Sequence, residues 1–283
     1  MLTIPAQFRA ADEPDASDTM PNMELSRAVD VIANHLTPGA RITVLTGAGV
    51  SAASGVPTFR GADGLWKQHR PEQLATPEAF ARDPRLVWEW YDWRRQRIAA
   101  CRPNGAHEVL AAWSERYANF TLITQNVDGL HERAGTHHVL RMHGSIWEVA
   151  CWARCPGSPL RWQDETVPLP VIPPRCTYCD GLIRPGVVWF GEAIDPGILR
   201  SCHEATRCDV FLTVGTSAVV YPAASLVQEA LMHGAFTAEI NLEATPASSL
   251  VADALHGPAE FVLAEINERL GLFHGSALLR GLR

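Results

Sequence analysis

Four cysteines stand in two close pairs, Cys151-x3-Cys155 and Cys176-x2-Cys179, with 20 residues between the pairs. Two thiolate knuckles of this kind suit a tetrahedral zinc ion with no open coordination position, so the metal would be structural. A second group, Gly47-Ala48-Gly49-Val50-Ser51-Ala52, has the G-x-G-x-x-A form of a dinucleotide loop. Gly47 would permit the tight turn, Gly49 a close approach of backbone to pyrophosphate, and Ala52 close packing of the next helix. That helix's N-terminus would receive the phosphate. Taken alone, the pattern describes an ordinary strand-to-helix turn equally well. A third segment runs from Thr124 through Gln125-Asn126-Val127-Asp128-Gly129-Leu130 to His131. Its amides and carboxylate could read a nicotinamide and its ribose, although Asn and Asp commonly cap loops too. In Met142-His143-Gly144-Ser145, His143 titrates near neutral pH and could take a proton from a hydroxyl. It is one of 11 histidines, and its spacing alone does not set it apart. No acidic residue follows the glycine loop at the place where a dehydrogenase would carry one, about 20 residues on. The acidic candidate is Glu243 in Asn241-Leu242-Glu243, where it could hold an adenosine ribose.

These residues sit between short runs that read as strands and helices. The β-branched run Arg41–Thr46 leads straight into the glycine loop. Further runs at 120–124, 187–190, 209–214 and 237–242 read as strands, and the polar segments follow two of them. Helical spacing marks Met23–Leu36, Pro77–Ala100, Ala106–Tyr117, 222–233 and 259–270. Strands alternating with helices predict an α/β fold, a Rossmann-type doubly wound parallel sheet that binds ligands at its carboxyl ends. Residues 151–185 break this rhythm. They hold the paired cysteines and many prolines, as expected of a metal-stapled insertion too small for a core of its own.

Composition bounds the function. The 283 residues carry a net charge of −7, with 47% hydrophobic and 19% charged residues, which is ordinary for a globular enzyme and unlike a basic nucleic-acid-binding face. No run approaches the roughly 18 apolar residues of a membrane helix. The first 22 residues lack a basic segment followed by an apolar one and carry Asp12, Glu13, Asp15 and Asp18. They read as a flexible acidic tail, neither secretory signal nor transit peptide. Seven cysteines, four of them in two pairs, indicate metal ligation in a reducing cytoplasm, not a disulfide framework.

Together the segments resemble the sirtuin family. The matching stretches are GAGVSAASGVPTFRGADGLW (47–66), TQNVDGLHERAG (124–135), MHGS (142–145), the four cysteines, RPGVVWFGE (184–192), GTSAVVYPAA (215–224) and NLE (241–243). They span nearly all of the chain after residue 40, and the likeness is to class III, sirtuin-5-like members. The resemblance implies a Rossmann-type domain in three parts (23–60, 105–148 and 186–275). It implies a smaller domain with a helical module (61–104) and a zinc module (149–185), and a C-terminal tail at 276–283. It implies an NAD-dependent protein-lysine deacylase, with NAD consumed as co-substrate and one structural Zn2+. His143 would be the general base, Asn126 and Asp128 would orient the nicotinamide, and Gln125 would hold the ribose. Phe59 would shield the reacting face from water, Arg60 would touch the polar parts of NAD, and Ala259 the adenine edge. Thr216 and Ser217 would contact phosphate or ribose. Ala48, Thr58, Trp66, Val127, Gly215, Asn241, Leu242 and Glu243 complete the NAD set. Val188, Phe190, Gly191 and Glu192, with Val219 and Tyr221, would pair with an extended acyl-lysine substrate as added strands. Two departures stand out. Thr58 replaces the Asp of many members, a mark shared by class III, and the first cysteine pair is spaced x3 where x2 is commoner.

Tyr91 and Arg94 are spaced i, i+3 and so share a helix face. A guanidinium fork and a phenol could clamp the carboxylate of a succinyl, malonyl or glutaryl group, as the class III Tyr-x-x-Arg pattern implies. Ala75 matches a small residue that leaves room in that family's acyl pocket. A Tyr–Arg pair on an arginine-rich helix is also commonly a solvated face. The expectation is desuccinylation and demalonylation ahead of deacetylation, with deacetylation also carried out, by a monomer with no nucleic-acid or membrane partner. A mono-ADP-ribosyltransferase using the same NAD site would carry similar motifs.

Overall fold

The computed structural model describes residues 16–58 and 71–271. The run after Arg41 forms β1 (Ile42–Thr46), all five residues of which are buried. Strand β2 (Phe120–Thr124) is the expected 120–124 run, and β7 (Val210–Val214) and β8 (Phe236–Asn241) shift from expectation by one residue at most at either end. With β3 (Val139–Arg141) and β9 (Asp253–His256) they make a six-stranded sheet in the order β3-β2-β1-β7-β8-β9. Every pairing in it is parallel. Parallel strands need crossovers that cover both faces, which is why β1 and β7 read as continuous apolar runs.

Helices α1 (Ala16–His35), α5 (Gly105–Arg116) and α9 (Ala259–Arg269) close one face, with Ile32, Trp113 and Ile266 in its core. On the other face α7 (Pro196–Ala205) and α8 (Ala223–Met232) pack Cys202, Leu226 and Phe211. The order places a switch point between β1 and β7, where the connections from the two parallel strands lead to opposite sides and open a crevice at the carboxyl ends.

A second core lies apart from this sheet. Helices α2 (Pro71–Leu74), α3 (Pro77–Arg82) and α4 (Pro84–Ala100) pack Phe80, Trp88 and Tyr91 against a three-stranded antiparallel sheet. That sheet is β4 (Gly144–Cys151), β5 (Trp162–Gln163) and β6 (Ile183–Val187), ordered β5-β4-β6. The small helix α6 (Leu130–Arg133) completes the elements named here.

Four expectations change. Helix α1 starts at Ala16, so residues 16–22 belong to a helix and not to a tail. The helix expected over 77–100 is two helices. Asp83 ends α3 at φ −147° and caps α4 by accepting the Leu86 N–H at 2.9 Å, while Pro84 occupies the first turn, where its missing N–H costs nothing. Residues 144–148, assigned above to the large domain, lie in β4 of the small sheet, as do residues 186 and 187 in β6. Residues 188–190 are therefore no strand of the parallel sheet but the loop that leaves β6. Among the described residues, no helix is long and apolar enough to cross a membrane.

Candidate active site

A cavity of about 810 Å³ opens where the carboxyl ends of β1, β2, β7 and β8 meet the second core. Each strand delivers its next residues to the wall: Gly47-Ala48-Gly49, Gln125-Asn126-Val127, Gly215-Thr216-Ser217 and Asn241-Leu242-Glu243. Thr58 lines it as well. The loops lock to one another. Gln125 donates to Thr216 Oγ1 at 2.8 Å, and the Asn241 amide donates to the Thr216 carbonyl at 2.9 Å. The Gly49 N–H donates to Gly215 O at 2.8 Å. A Cβ on Gly49 would lie 2.7 Å from that same oxygen, and one on Gly47 2.6 Å from Thr216 Cβ. These glycines are thus required by the contact between two loops of this chain. The helix that follows is 3₁₀ (Ala48–Ser54), not α, and Ala52 is exposed on it, so the expected close helix packing at Ala52 is absent.

Behind this wall lies a buried polar network. Asn126 donates to Gly47 O at 3.0 Å and to Ser51 Oγ at 3.2 Å, and Ser51 in turn donates to Asp128 Oδ2 at 2.8 Å. The other Asp128 oxygen accepts the Leu130 N–H at 2.9 Å. Burial pushes the Asp128 carboxyl above its ordinary range, against these hydrogen bonds and the charges of Arg94 and Arg133. His107 accepts the Asn104 N–H through Nδ1 (3.3 Å) and turns Nε2 toward Ser51 Oγ (3.4 Å). His131 Nε2 meets Thr46 Oγ1 at 3.0 Å, which donates to Thr124 Oγ1; that oxygen also accepts the Asn126 N–H. Burial holds both histidines neutral, His107 down at about 4 and His131 well below the imidazole range. Neither stood out in the sequence among 11 histidines.

His143 lines the cavity, and its Nδ1 lies 3.0 Å from the Gln125 carbonyl. A carbonyl only accepts, so Nδ1 carries the proton and Nε2 keeps its lone pair. Burial lowers the imidazole below its ordinary value, against the favourable Gln125 contact. A neutral imidazole fixed in one tautomer can act as a general base at neutral pH.

The opposite wall comes from the second core: Ala75, Tyr91 and Arg94, with the segment Val188–Glu192. Arg94 is 7% exposed, which excludes the solvated-face reading. Its guanidinium lies 4.8 Å from the Trp90 ring centre and 5.6 Å from that of Tyr91. The Tyr91 hydroxyl accepts the Trp189 indole N–H at 3.0 Å. Trp189 is held by Arg184, whose guanidinium stacks 3.7 Å over the indole and pairs with Glu192. Glu192 also accepts the Trp189 backbone N–H at 2.8 Å. The Phe190 N–H reaches Ala75 O at 2.9 Å and the Val188 N–H reaches His143 O at 2.9 Å, so both domains fix this segment.

The four cysteine Sγ atoms lie within 4.8 Å of one another, and the pairs 151–179 and 155–176 are 3.8 and 3.9 Å apart. Tetrahedral Zn–S bonds of about 2.3 Å place sulfurs about 3.8 Å apart, so the donor set and its spacing fit zinc. The x3 spacing of the first pair still brings both of its sulfurs into the four-sulfur cluster.

Comparison with known proteins decides the family: the Sir2 family profile matches residues 47–222. The chain belongs to the Sir2 family. It is 50% identical over 236 residues to an NAD-dependent protein deacylase of Aquifex aeolicus, covering 83% of this chain and 97% of that one. It is 41% identical to the mitochondrial NAD-dependent protein deacylase sirtuin-5 of Danio rerio, covering 83% and 85%. A solved Sir2 homologue in complex with ADP-ribose superposes at TM-score 0.77 with 41% identity over 88% of this chain and 99% of that one. The likeness to the sirtuins, and the Rossmann-type sheet it implied, are thereby settled.

Within this Sir2 fold, the expected site residues divide. Gly47, Ala48, Gly49, Thr58, Gln125, Asn126, Val127, His143, Gly215, Thr216, Ser217, Asn241, Leu242 and Glu243 line one cavity with Ala75, Tyr91, Arg94, Val188, Phe190, Gly191, Glu192 and Tyr221. Ser51 and Asp128 do not. They are buried behind the wall, where they hold Asn126 and the β2 loop, so they back the site without lining it. Ala259 is a buried first-turn residue of α9 away from the cavity, and Val219 is exposed outside it. Phe59, Arg60 and Trp66 lie outside the described residues.

Proposed function

We propose that the chain is an NAD-dependent protein-lysine deacylase that transfers the acyl group to ADP-ribose, releases nicotinamide, and prefers acyl chains ending in a carboxylate. One observation carries this reading. A neutral, single-tautomer His143 and a buried Arg94–Tyr91 pair face the same cavity, at the switch point of a Sir2 fold. The acyl amide oxygen attacks the ribose carbon bearing nicotinamide, and the bond to nicotinamide breaks. His143 Nε2 takes the proton of a ribose hydroxyl, whose oxygen then attacks the acyl carbon. Water completes release of the amine and O-acyl-ADP-ribose. An amide is a weak nucleophile, so holding it against the ribose must supply much of the rate.

Arg94 and Tyr91 hold the acyl carboxylate. An acyl carboxylate offers the guanidinium a charged acceptor that an acetyl group cannot, which favours succinyl or malonyl over acetyl. The N–H groups of Val188, Trp189, Phe190 and Glu192 are engaged within the chain. A substrate strand added there draws on the segment's carbonyls. Cys151, Cys155, Cys176 and Cys179 hold one structural Zn2+, which supplies folding energy and no chemistry. The enzyme acts as a cytoplasmic monomer on acyl-lysine proteins, and its net charge of −7 disfavours direct nucleic-acid binding.

The test is mass spectrometry of matched succinyl-lysine and acetyl-lysine peptides incubated with NAD. Faster succinyl loss with O-succinyl-ADP-ribose formed, a preference reduced about tenfold or more in Arg94→Met, and no turnover in His143→Ala are expected. Faster acetyl loss would remove the carboxylate preference and leave the deacylase. ADP-ribose attached to protein without deacylation would replace the reading by a transferase.

A further inference from the structure

The Tyr91 hydroxyl has one hydrogen and a limited set of neighbours. The Trp189 indole N–H points at its oxygen from 3.0 Å. An indole N–H can only donate. The Arg94 guanidinium, which also only donates, lies beside the Tyr91 ring, 5.6 Å from its centre. The nearby carboxylate, Glu192, is occupied by Arg184 and by the Trp189 backbone N–H. Burial keeps the phenol protonated far into the alkaline range. The hydrogen is therefore driven away from two donors.

We propose that Trp189 is a specificity-determining positioning residue: its indole N–H fills an acceptor site of the Tyr91 oxygen and turns the phenolic hydrogen into the acyl cavity. This rests on the carboxylate preference proposed above. Tyr91 then presents a donor, complementary to an acyl carboxylate, where an unconstrained hydroxyl would serve as donor or acceptor alike. Trp189 is 2% exposed, stacked under Arg184 and packed against Phe80, with ring centres 5.4 Å apart, so its N–H direction is fixed before substrate enters. Arg184 and Glu192 act one step further back, by clamping the indole.

The experiment is a double-mutant cycle read on succinyl- and acetyl-peptides at saturating NAD. Trp189→Phe keeps an aromatic ring and removes the N–H. We expect kcat/KM for the succinyl peptide to fall about tenfold, mainly through KM, and the succinyl-to-acetyl ratio to fall several-fold. In a Tyr91→Phe background, Trp189→Phe should add no further loss of selectivity. Incorporating 3-benzothienylalanine at position 189 keeps the ring's size, replaces the N–H by sulfur and guards against a variant that does not fold; the same selective loss is expected. Equal loss on both peptides, or additive effects of the two substitutions, would overturn the role of Trp189. The parallel control Arg94→Met separates the two readings. If it abolishes the succinyl preference while the Trp189 variants retain it, only the present inference falls. If wild type shows no succinyl preference, both fall.

Discussion

On one wall of the cavity the lining is main chain, amides, hydroxyls and the Glu243 carboxylate at the ends of four parallel strands; on the other it is a guanidinium, a phenol and indoles with Glu192, carried by one helix and one loop. The first wall rests on a sheet whose central strands are buried on both faces, and its loops touch so closely that glycine is required. The second rests on a small core closed by a cysteine cluster. The first, which we propose holds the nucleotide and call the nucleotide wall, thus has a shape set by backbone, which leaves little room for variation. The second, which we propose holds the acyl group and call the acyl wall, has a chemistry set by side chains, which can change without disturbing the sheet.

The largest effect expected from this division comes from the metal. Chelation, or Cys176→Ser, should abolish turnover of every acyl peptide and erase the near-ultraviolet signal of the small core's tryptophans, while the far-ultraviolet signal of the six-stranded sheet persists. Retained activity in metal-free protein would break the claim that the acyl wall depends on the cysteine cluster. Next in size is His143→Ala, which should lower kcat by about 100-fold or more for succinyl and acetyl peptides alike, with the melting temperature little changed. A loss confined to one acyl chain would place His143 on the wrong wall.

Acid should also strike the two walls unequally. His107 and His131 sit behind the nucleotide wall and are neutral in the folded chain, His107 titrating at about 4 against an ordinary 6.5. Between those values the unfolded state binds the proton and the folded state does not. Stability is therefore full above pH 6.5 and lost as pH falls toward about 4, by ~1.4 kcal/mol per pH unit for His107 alone. Urea midpoints measured from pH 7 to 4.5 should fall with pH, and His107→Gln should make the fall shallower by about the His107 share, leaving the part due to His131. Arg94 and Tyr91 do not titrate in that window, so the succinyl-to-acetyl ratio of the surviving enzyme should stay constant; a drifting ratio would mean the walls are coupled.

The walls also differ in how far they could be read from sequence. The nucleotide wall is contiguous: strand, turn and polar residues follow one another, so β1 with Gly47–Gly49 and β2 with Gln125–Val127 were placed nearly to the residue. What sequence could not tell is which way each side chain faces. Ser51 and Asp128 belong to the motifs but turn inward, and Ala52 is exposed on a 3₁₀ turn. On the acyl wall, Tyr91 and Arg94 were visible through their i, i+3 spacing, yet Trp189 was not, because its partner lies 98 residues away. His107 was hidden for the same reason, with Ser51 lying 56 residues off. The break between α3 and α4 was written in Asp83-Pro84, a capping residue before a proline, and the apolar periodicity running through it obscured the signal.

The smallest effect tests the seam where the walls join. Asn104 caps α5 by accepting the Ala106 N–H at 2.9 Å, and its amide reaches across to Val50 O at 2.8 Å and Ser54 Oγ at 3.0 Å on the 3₁₀ turn. Asn104→Ala should cost about 1 kcal/mol from the lost cap. The freed turn carries Ala48 and Gly49 of the nucleotide wall, so KM for NAD should rise a few-fold while KM for the succinyl peptide and the succinyl-to-acetyl ratio stay unchanged. The expected pattern separates the walls by kinetics alone. If the peptide KM rises in step with that for NAD, the seam transmits strain to Arg94 and Tyr91, and the two walls form one mechanical unit despite their separate cores.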